Sequence, residues 1–243
     1  MPNKLYAVGD IHGQMDMLTE AMRRIAVDGG KDAHVIFIGD LVDRGSNSRA
    51  VIQYLMDGQS QGKNWTVLYG NHDRLFVRFV ENGIVHDDCI KSGLTWDHER
   101  LGGLTTLASY GVDIALADDL GALHADTVAK IPPDHIAWLS ALPRSFETET
   151  HFFAHAGIRP TVPLAEQVED DLLWIRQEFH LDTNPHPKMI VHGHTPVDTP
   201  TRYKNRINID GGAGYGRPLL PMVIDGKDTW LLDTSGRIPL VIG

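Results

Sequence analysis

Five times along this chain a short apolar run leads, within a residue or two, to a side chain able to bind a metal ion. Leu5 to Val8 leads to Gly9-Asp10, Val35 to Ile38 to Gly39-Asp40, and Val67 to Tyr69 to Gly70-Asn71-His72. Later the plan varies: Phe152-Phe153-Ala154 leads to His155, and Met189-Ile190-Val191 to His192-Gly193-His194. Short runs rich in Val, Ile, Phe and Tyr read as buried strands. Five strand ends are therefore expected to converge, each delivering a polar ligand to one place.

The segments between the first three runs carry helical periodicity. Leu18, Met22 and Ile25 fall at helical spacing within Gln14 to Val27. Asn47 or Ser48 can cap a second helix bearing Val51, Ile52, Leu55 and Met56, with Gly58 as its stop. This β-α-β-α-β order gives parallel strands with ligands collecting at their carboxyl ends. From about Leu75 to Leu142 the pattern is mainly helical, with a start at Pro133-Asp134 and Ile136, Leu139 and Leu142 along one face. Gly93 and Gly102-Gly103 interrupt it as turns. Strands return at Ile207 to Ile209, Pro221 to Ile224 and Thr229 to Leu232, the last two around a hairpin signal at Asp225-Gly226.

The 243 residues suit one domain spanning 1–243, with the helical stretch of about 75–145 as a flanking subregion. No run approaches the roughly 18 apolar residues of a membrane helix, and Met1-Pro2-Asn3-Lys4-Leu5 is not a secretory leader, so a cytoplasmic protein is expected. Thirty-two acids against 22 Lys and Arg argue against a broad nucleic-acid or membrane-binding face, which needs a positive field. Cys89, the one cysteine, stands beside Asp87 and Asp88, surroundings that do not make a reactive thiolate.

The chemistry concentrates where the runs end. Asp10 and His12 stand two apart at a strand end and can point the same way, an oxygen and an imidazole that suit a borderline metal. Asp40-Leu41-Val42-Asp43-Arg44-Gly45 sets two carboxylates three apart beside a guanidinium, a costly cluster unless cations and phosphate compensate it. Gly70-Asn71-His72-Asp73 offers an amide oxygen, an imidazole and a carboxylate, and His155, His192 and His194 add imidazoles. The loop Gly211-Gly212-Ala213-Gly214-Tyr215-Gly216 lacks the lysine of a P-loop and precedes no helical pattern, so it reads as a plain flexible loop.

At these residues, from Val8 to about Asp210, the sequence resembles the metallophosphoesterase (calcineurin-like) superfamily. Within it, the chain is similar to bacterial and phage phosphoprotein phosphatases of the phage lambda type, which act on phosphoserine and phosphothreonine. The resemblance implies an α/β fold, a two-sheet β-sandwich flanked by helices, in place of a simple parallel sheet. It implies two divalent metal ions: the first held by Asp10 and His12, the second by Asn71, His155 and His194, with Asp40 bridging. Manganese is favoured, and iron, zinc or cobalt would also suit such ligands. It further implies that Asp43 hydrogen-bonds His72 and that Arg44 grips the phosphate. Trp174-Ile175-Arg176 looks like the element carrying a second phosphate arginine, Arg176.

In that scheme two cations about 3.5–4 Å apart activate a bridging hydroxide for in-line attack, and His72 protonates the leaving group. Arg44 and Arg176 meet the charge building on the phosphoryl oxygens. The leading expectation is a phosphatase of the Ser/Thr type acting on a phosphorylated protein, peptide or small phosphoester. The alternative, a symmetrical diadenosine tetraphosphate hydrolase, is suggested by Asp73 and His155-Ala156-Gly157-Ile158, while an acid at Asp43 is atypical of that group. A non-catalytic scaffold of the same fold is disfavoured because all six ligand positions and His72 are filled. Physiological substrate and oligomeric state are not legible in the sequence.

Overall fold

A computed structural model describes residues 4–243; Met1 to Asn3, within the N-terminal stretch read above, lie outside the described residues. The chain opens with β1 (Leu5–Val8), α1 (Met15–Gly29), β2 (His34–Phe37), α2 (Ser48–Ser60) and β3 (Trp65–Val67). Four helices follow: α3 (Asn71–Asn82), α4 (Gly103–Ser109), α5 (Leu120–Lys130) and α6 (Pro133–Ala141). Next come β4 (Ser145–Glu147), β5 (His151–Ala154), α7 (Glu169–Trp174), α8 (Gln177–His180), β6 (Met189–His192), β7 (Thr201–Arg202) and β8 (Arg206–Asn208). The chain closes with β9 (Met222–Asp225), β10 (Asp228–Asp233), β11 (Gly236–Pro239) and β12 (Val241–Ile242).

These strands make two six-stranded sheets, in the orders β11-β10-β9-β1-β2-β3 and β12-β7-β8-β6-β5-β4. β1, β2 and β3 pair in parallel, as the β-α-β-α-β reading expects. β5, β6 and β8 pair in parallel in the other sheet. Why these runs are almost wholly apolar follows from what covers them. In β2, Val35 and Phe37 face helices α1 and α2, whereas Ile36 and the following Ile38 face the opposite sheet. In β5, Phe153 points between the sheets while Phe152 and Ala154 meet Leu172, Ile175 and Phe179 of the α7–α8 segment. Alternate residues enter different cores, so neither face is left polar. The result is a helix–sheet–sheet–helix sandwich, as the resemblance implies. Each fully buried Ile or Phe in its centre contributes roughly 1.5–3 kcal/mol.

Helices α3 to α6 fall in the stretch read as helical, and α6 begins at Pro133 as expected, but residues 83–102 between α3 and α4 form turns and carry no helix. Gly58 does not stop α2. The helix continues to Ser60, and Gly58 is a contact point, because any Cβ there would collide with the ring of Trp65 packed across it. Asn47 stands at the N-cap without a side-chain bond to the helix. β7 and β12 have two residues each, too few for periodicity to register. Among the described residues, no helix is long and apolar enough to cross a membrane.

His151 opens β5 with its ring packed on Phe153, and burial, with Arg202 adding, pushes its imidazole down to about 4. The unfolded chain binds that proton near pH 6.5 and the folded chain only near 4, so acid favours unfolding across this window. Stability on the order of 3 kcal/mol, present above pH 6.5, is expected to fall away as pH drops to 4. Urea unfolding midpoints between pH 7 and 4 would check this, and His151→Gln should flatten the decline.

Candidate metal centre

The carboxyl ends of the parallel strands of both sheets meet at one edge of the sandwich, and the polar residues stand there. β1 runs through Gly9 to Asp10 and His12, β2 to Asp40, β3 to Asn71 and His72, β5 to His155, and β6 to His194. Backbone bonds lock these ends together. The N–H groups of Ile11 and His12 both donate to the Asp40 carbonyl at 3.0 and 2.9 Å, and Gly193 N donates to His155 O across the second sheet. The sheets are joined by side chains: Asp10 accepts the His194 N–H at 3.1 Å.

The backbone is held in a costly conformation there. Among the described residues, the non-glycine positions with left-handed φ are His12 (49°), Asp40 (50°), Asp43 (72°), Arg44 (66°) and His194 (64°). Each costs about 1 kcal/mol or more for an L residue, and all five belong to the site foreseen from the sequence. Such strain persists only where surrounding bonds dictate it, and it aims the side chains inward.

Two groups of donor atoms result, each with its atoms within 4.8 Å of one another: Asp40, His155 and His194, and His12, Asp40 and His72. Asp40 is common to both. Asn71 joins the first, its Oδ1 lying 2.8 Å from His155 Nε2 and 2.7 Å from His194 Nδ1. Here the donor chemistry tests whether a cation fits. His155 Nδ1 donates to the Ile38 carbonyl at 3.0 Å, which leaves Nε2 as a bare lone pair. That lone pair faces the Asn71 amide oxygen and, at 3.3 Å, Asp40 Oδ1. Acceptors aimed at acceptors repel unless a cation is shared among them, so Asp40, Asn71, His155 and His194 fit a divalent ion.

The other group differs. His12 Nδ1 donates to the Val42 carbonyl at 2.8 Å, freeing Nε2, but Arg44 Nη1 donates to that nitrogen at 2.5 Å while its Nη2 lies 3.2 Å from His72 Nε2. Arg44 thus supplies the positive charge between the two imidazoles. Asp10 stands outside both compact groups, with its carboxylate on the His194 N–H and its charge facing Asp210 and Asp40.

Electrostatics follow from burial. Desolvation, with Asp210 and Asp40 nearby, raises Asp10 well above the ordinary carboxylate range. Burial opposes ionisation of Asp40 too, yet His155, His72, His12 and His194 around it hold its carboxyl below that range. Burial lowers His12, His155 and His194, keeping their lone pairs available. Asp73 is pushed up to about 8 by burial and by Asp40; it ties the β3–α3 turn to the β2 loop, accepting from Gly70 N and Leu41 N.

Asp43 is fully buried, and its carboxylate accepts from His72 Nδ1 at 2.6 Å, Trp96 Nε1 at 2.8 Å and Thr106 Oγ1 at 2.7 Å. The expected Asp43–His72 pair is in place. Arg176 lies exposed at the rim, bonded to Thr195 Oγ1 at 2.9 Å and within electrostatic reach of Asp40, Asp10 and Arg44. His192 points elsewhere, packed against Phe179 and His180, so of the two neighbouring histidines His194 is the one at the site. Cys89 is half-buried, and burial together with Asp170 and Asp87 raises its thiol.

Sequence reasoning missed four contributors. Asp210, pushed up to about 6 by burial and set against Asp10 and Asp40, follows the apolar run Ile207 to Ile209 and precedes Gly211, the same plan that marked the other ends. Trp96 and Thr106 carry no such signal. The loop Gly211 to Gly216 is not a plain flexible loop: Ala213–Tyr215 form one tight turn, Gly214 abuts His12 and Arg44, and Tyr215 stacks on Arg44.

A model described as calcineurin-like phosphoesterase matches residues 4–216. The chain belongs to the calcineurin-like phosphoesterase family. Members of the family hydrolyse phosphoesters with divalent metals, in keeping with the donor groups above. The chain is 25% identical over 237 residues to a bis(5'-nucleosyl)-tetraphosphatase PrpE, asymmetrical, of Bacillus subtilis strain 168, covering 87% of each. It is 29% identical over 171 residues to a symmetrical bis(5'-nucleosyl)-tetraphosphatase of Janthinobacterium sp. strain Marseille, covering 68% of this chain and 49% of that one. This chain therefore spans about half the length of the symmetrical relative. Among solved structures, a putative diadenosine tetraphosphatase superposes with a TM-score of 0.64 at 22% identity, covering 94% of this chain and 92% of the other, a likeness of fold.

Gly193 separates Asp10 from His194 so tightly that any Cβ would collide with Asp10 Oδ1. Gly193→Ala is expected to weaken divalent-cation binding, probed with manganese by calorimetric titration, at least tenfold, with the thermal unfolding of the metal-free protein shifted by only a few degrees.

Proposed function

We propose that this phosphoesterase hydrolyses dinucleoside tetraphosphates at a centre holding two divalent metal ions, manganese being the favoured pair. Support for the substrate class comes from relatives named bis(5'-nucleosyl)-tetraphosphatase, one of them alike along 87% of both chains. The observation that carries hydrolysis at this site is the convergence of bare acceptors, His155 Nε2, Asn71 Oδ1 and Asp40 Oδ1, beside the His72–Asp43 pair. Asn71, His155 and His194 would hold one cation and, once Arg44 leaves His12 Nε2 for phosphate, Asp10 and His12 would hold the other, with Asp40 between. Bound there, the cations supply an activated water and neutralise the phosphoryl oxygens.

The chain's own residues do the rest. Asp43, shut away from water by Trp96 and Thr106, fixes His72 with Nδ1 toward itself and leaves Nε2 facing the reacting group. A proton on Nε2 goes to the departing oxygen. Arg44 exchanges the imidazoles of His12 and His72 for phosphate oxygens, and Arg176 reaches in from the rim. These two guanidiniums give the site its attraction for a polyanion in a chain whose formal net charge is −10.

A second reading, phosphomonoesterase of the Ser/Thr protein phosphatase type, rests on Asp43, the acid that the sequence reading found atypical of the dinucleotide hydrolases. The leaving groups separate the two. Phosphate leaving from an anhydride is a stable anion, whereas a serine alkoxide needs a proton. With manganese, kcat/KM for diadenosine tetraphosphate is expected to exceed that for a phosphoserine peptide at least tenfold; the reverse order would establish the second reading. Chromatography of the products tells symmetrical from asymmetrical cleavage. His72→Ala should cost about 10²–10⁴-fold on phosphoserine and distinctly less on the dinucleotide. An equal loss on both would remove His72 as the proton donor.

A further inference from the structure

We propose that Tyr215 is a stacking platform for the nucleobase of the substrate and the residue that selects nucleoside polyphosphates over inorganic ones; this rests on the substrate class proposed above. Tyr215 is 60% exposed although it stands at the site, where burial would be the usual fate of an aromatic ring. One face of the ring is occupied: the Arg44 guanidinium lies 4.8 Å from its centroid. The other face has no aromatic or cationic partner among the described residues.

The ring is not on a wandering loop. Gly212 and Gly216, both left-handed, bracket the turn, and Tyr215 N and Gly216 N donate to Gly212 O and Ala213 O, each at 2.9 Å. Gly214 has no room for a Cβ between His12 and Arg44, its Cβ position lying 2.6 Å from His12 Cδ2. The turn is thereby pressed onto His12 and Arg44, and Tyr215 is carried with it.

Arg44 touches His12 and His72 on one side and Tyr215 on the other. A polyphosphate chain gripped by Arg44 can therefore lead its ribose around the edge of the ring to the open face. A base lying on that face completes a guanidinium–phenol–base stack, in which cation–π and aromatic contacts act through the same ring. Base–aromatic stacks tolerate any base, so the platform reads the presence of a base rather than its identity.

The test is the ratio of kcat/KM for diadenosine tetraphosphate to that for inorganic tripolyphosphate, which offers the same anhydride without a base. Tyr215→Ala and Tyr215→Leu are expected to lower this ratio roughly 5- to 150-fold, and Tyr215→Trp to restore it. In parallel, the preference for binding ADP over pyrophosphate, measured by calorimetry, should shrink by a similar factor in the Ala and Leu variants. A ratio unchanged in Tyr215→Ala, or kept by Leu as well as by Trp, would overturn the platform, the latter showing mere apolar cover for Arg44. Should the wild type cleave phosphoserine and no dinucleotide, the substrate class falls instead. Phenyl phosphate against glycerol phosphate then reads the platform: a ratio lowered by Tyr215→Ala upholds it, and an unchanged one refutes it.

Discussion

Asp40 joins what would otherwise be separate strand ends. Its carbonyl accepts two N–H groups from the loop after β1, and its Oδ1 accepts the His72 N–H at 2.9 Å, seating the start of α3. The same carboxylate faces His155 Nε2 and His12 Nε2 at 3.3 and 3.5 Å. One residue therefore ties three segments of the first sheet and meets a histidine from the second. It does so with a left-handed φ of 50°, a conformation that Asp tolerates better than most residues. Losing that carboxylate would unseat α3 and remove the one oxygen donor that both histidine groups face, while the backbone carbonyl would still hold the β1 loop.

Around that hub the charges are arranged against stability. Asp10, Asp40, Asp43, Asp73 and Asp210 are all buried. Burial is the largest influence raising Asp10, Asp73 and Asp210, and mutual repulsion adds to it. A sandwich core offsets this cost, since Ile36, Ile38, Phe153 and Val191 pack between the sheets directly beneath the ligands. The apolar run and the polar residue that ends it are thus one device: the run supplies the rigidity that keeps an unfavourable cluster together, and the cluster supplies the chemistry.

The sequence made this device legible where it repeats. Asp10, Asp40, Asn71, His155 and His194 each follow an apolar run, and each stands where five strand ends were expected to converge. Asp210 obeys the same rule and could have been found by it. Gly58 misled because a glycine late in a helical pattern reads as a stop, while its actual partner, Trp65, approaches from a strand whose contact no local pattern reveals. Trp96 and Thr106 were invisible for a related reason. Their value lies in meeting Asp43 across 53 and 63 residues of chain, and sequence spacing carries no record of such a meeting.

What stays hidden has a common location. Residues supplied by strand ends have their positions dictated by the sheet, whereas Trp96, Thr106, Gly214 and Tyr215 come from segments outside the strands. The strand ends set a reaction that any phosphoester can enter. The helical stretch between β3 and β4 then decides how His72 is held, through Trp96 and Thr106 on Asp43, and the Gly212–Gly216 turn decides what surrounds Arg44. Under the function proposed above, substitutions in these segments would change the leaving group that is protonated and the group beside the phosphate without moving a metal ligand. A family that shares one sandwich can therefore hold enzymes of different substrate, and distinguishing them requires the contacts to Asp43 and Arg44 rather than the ligand set.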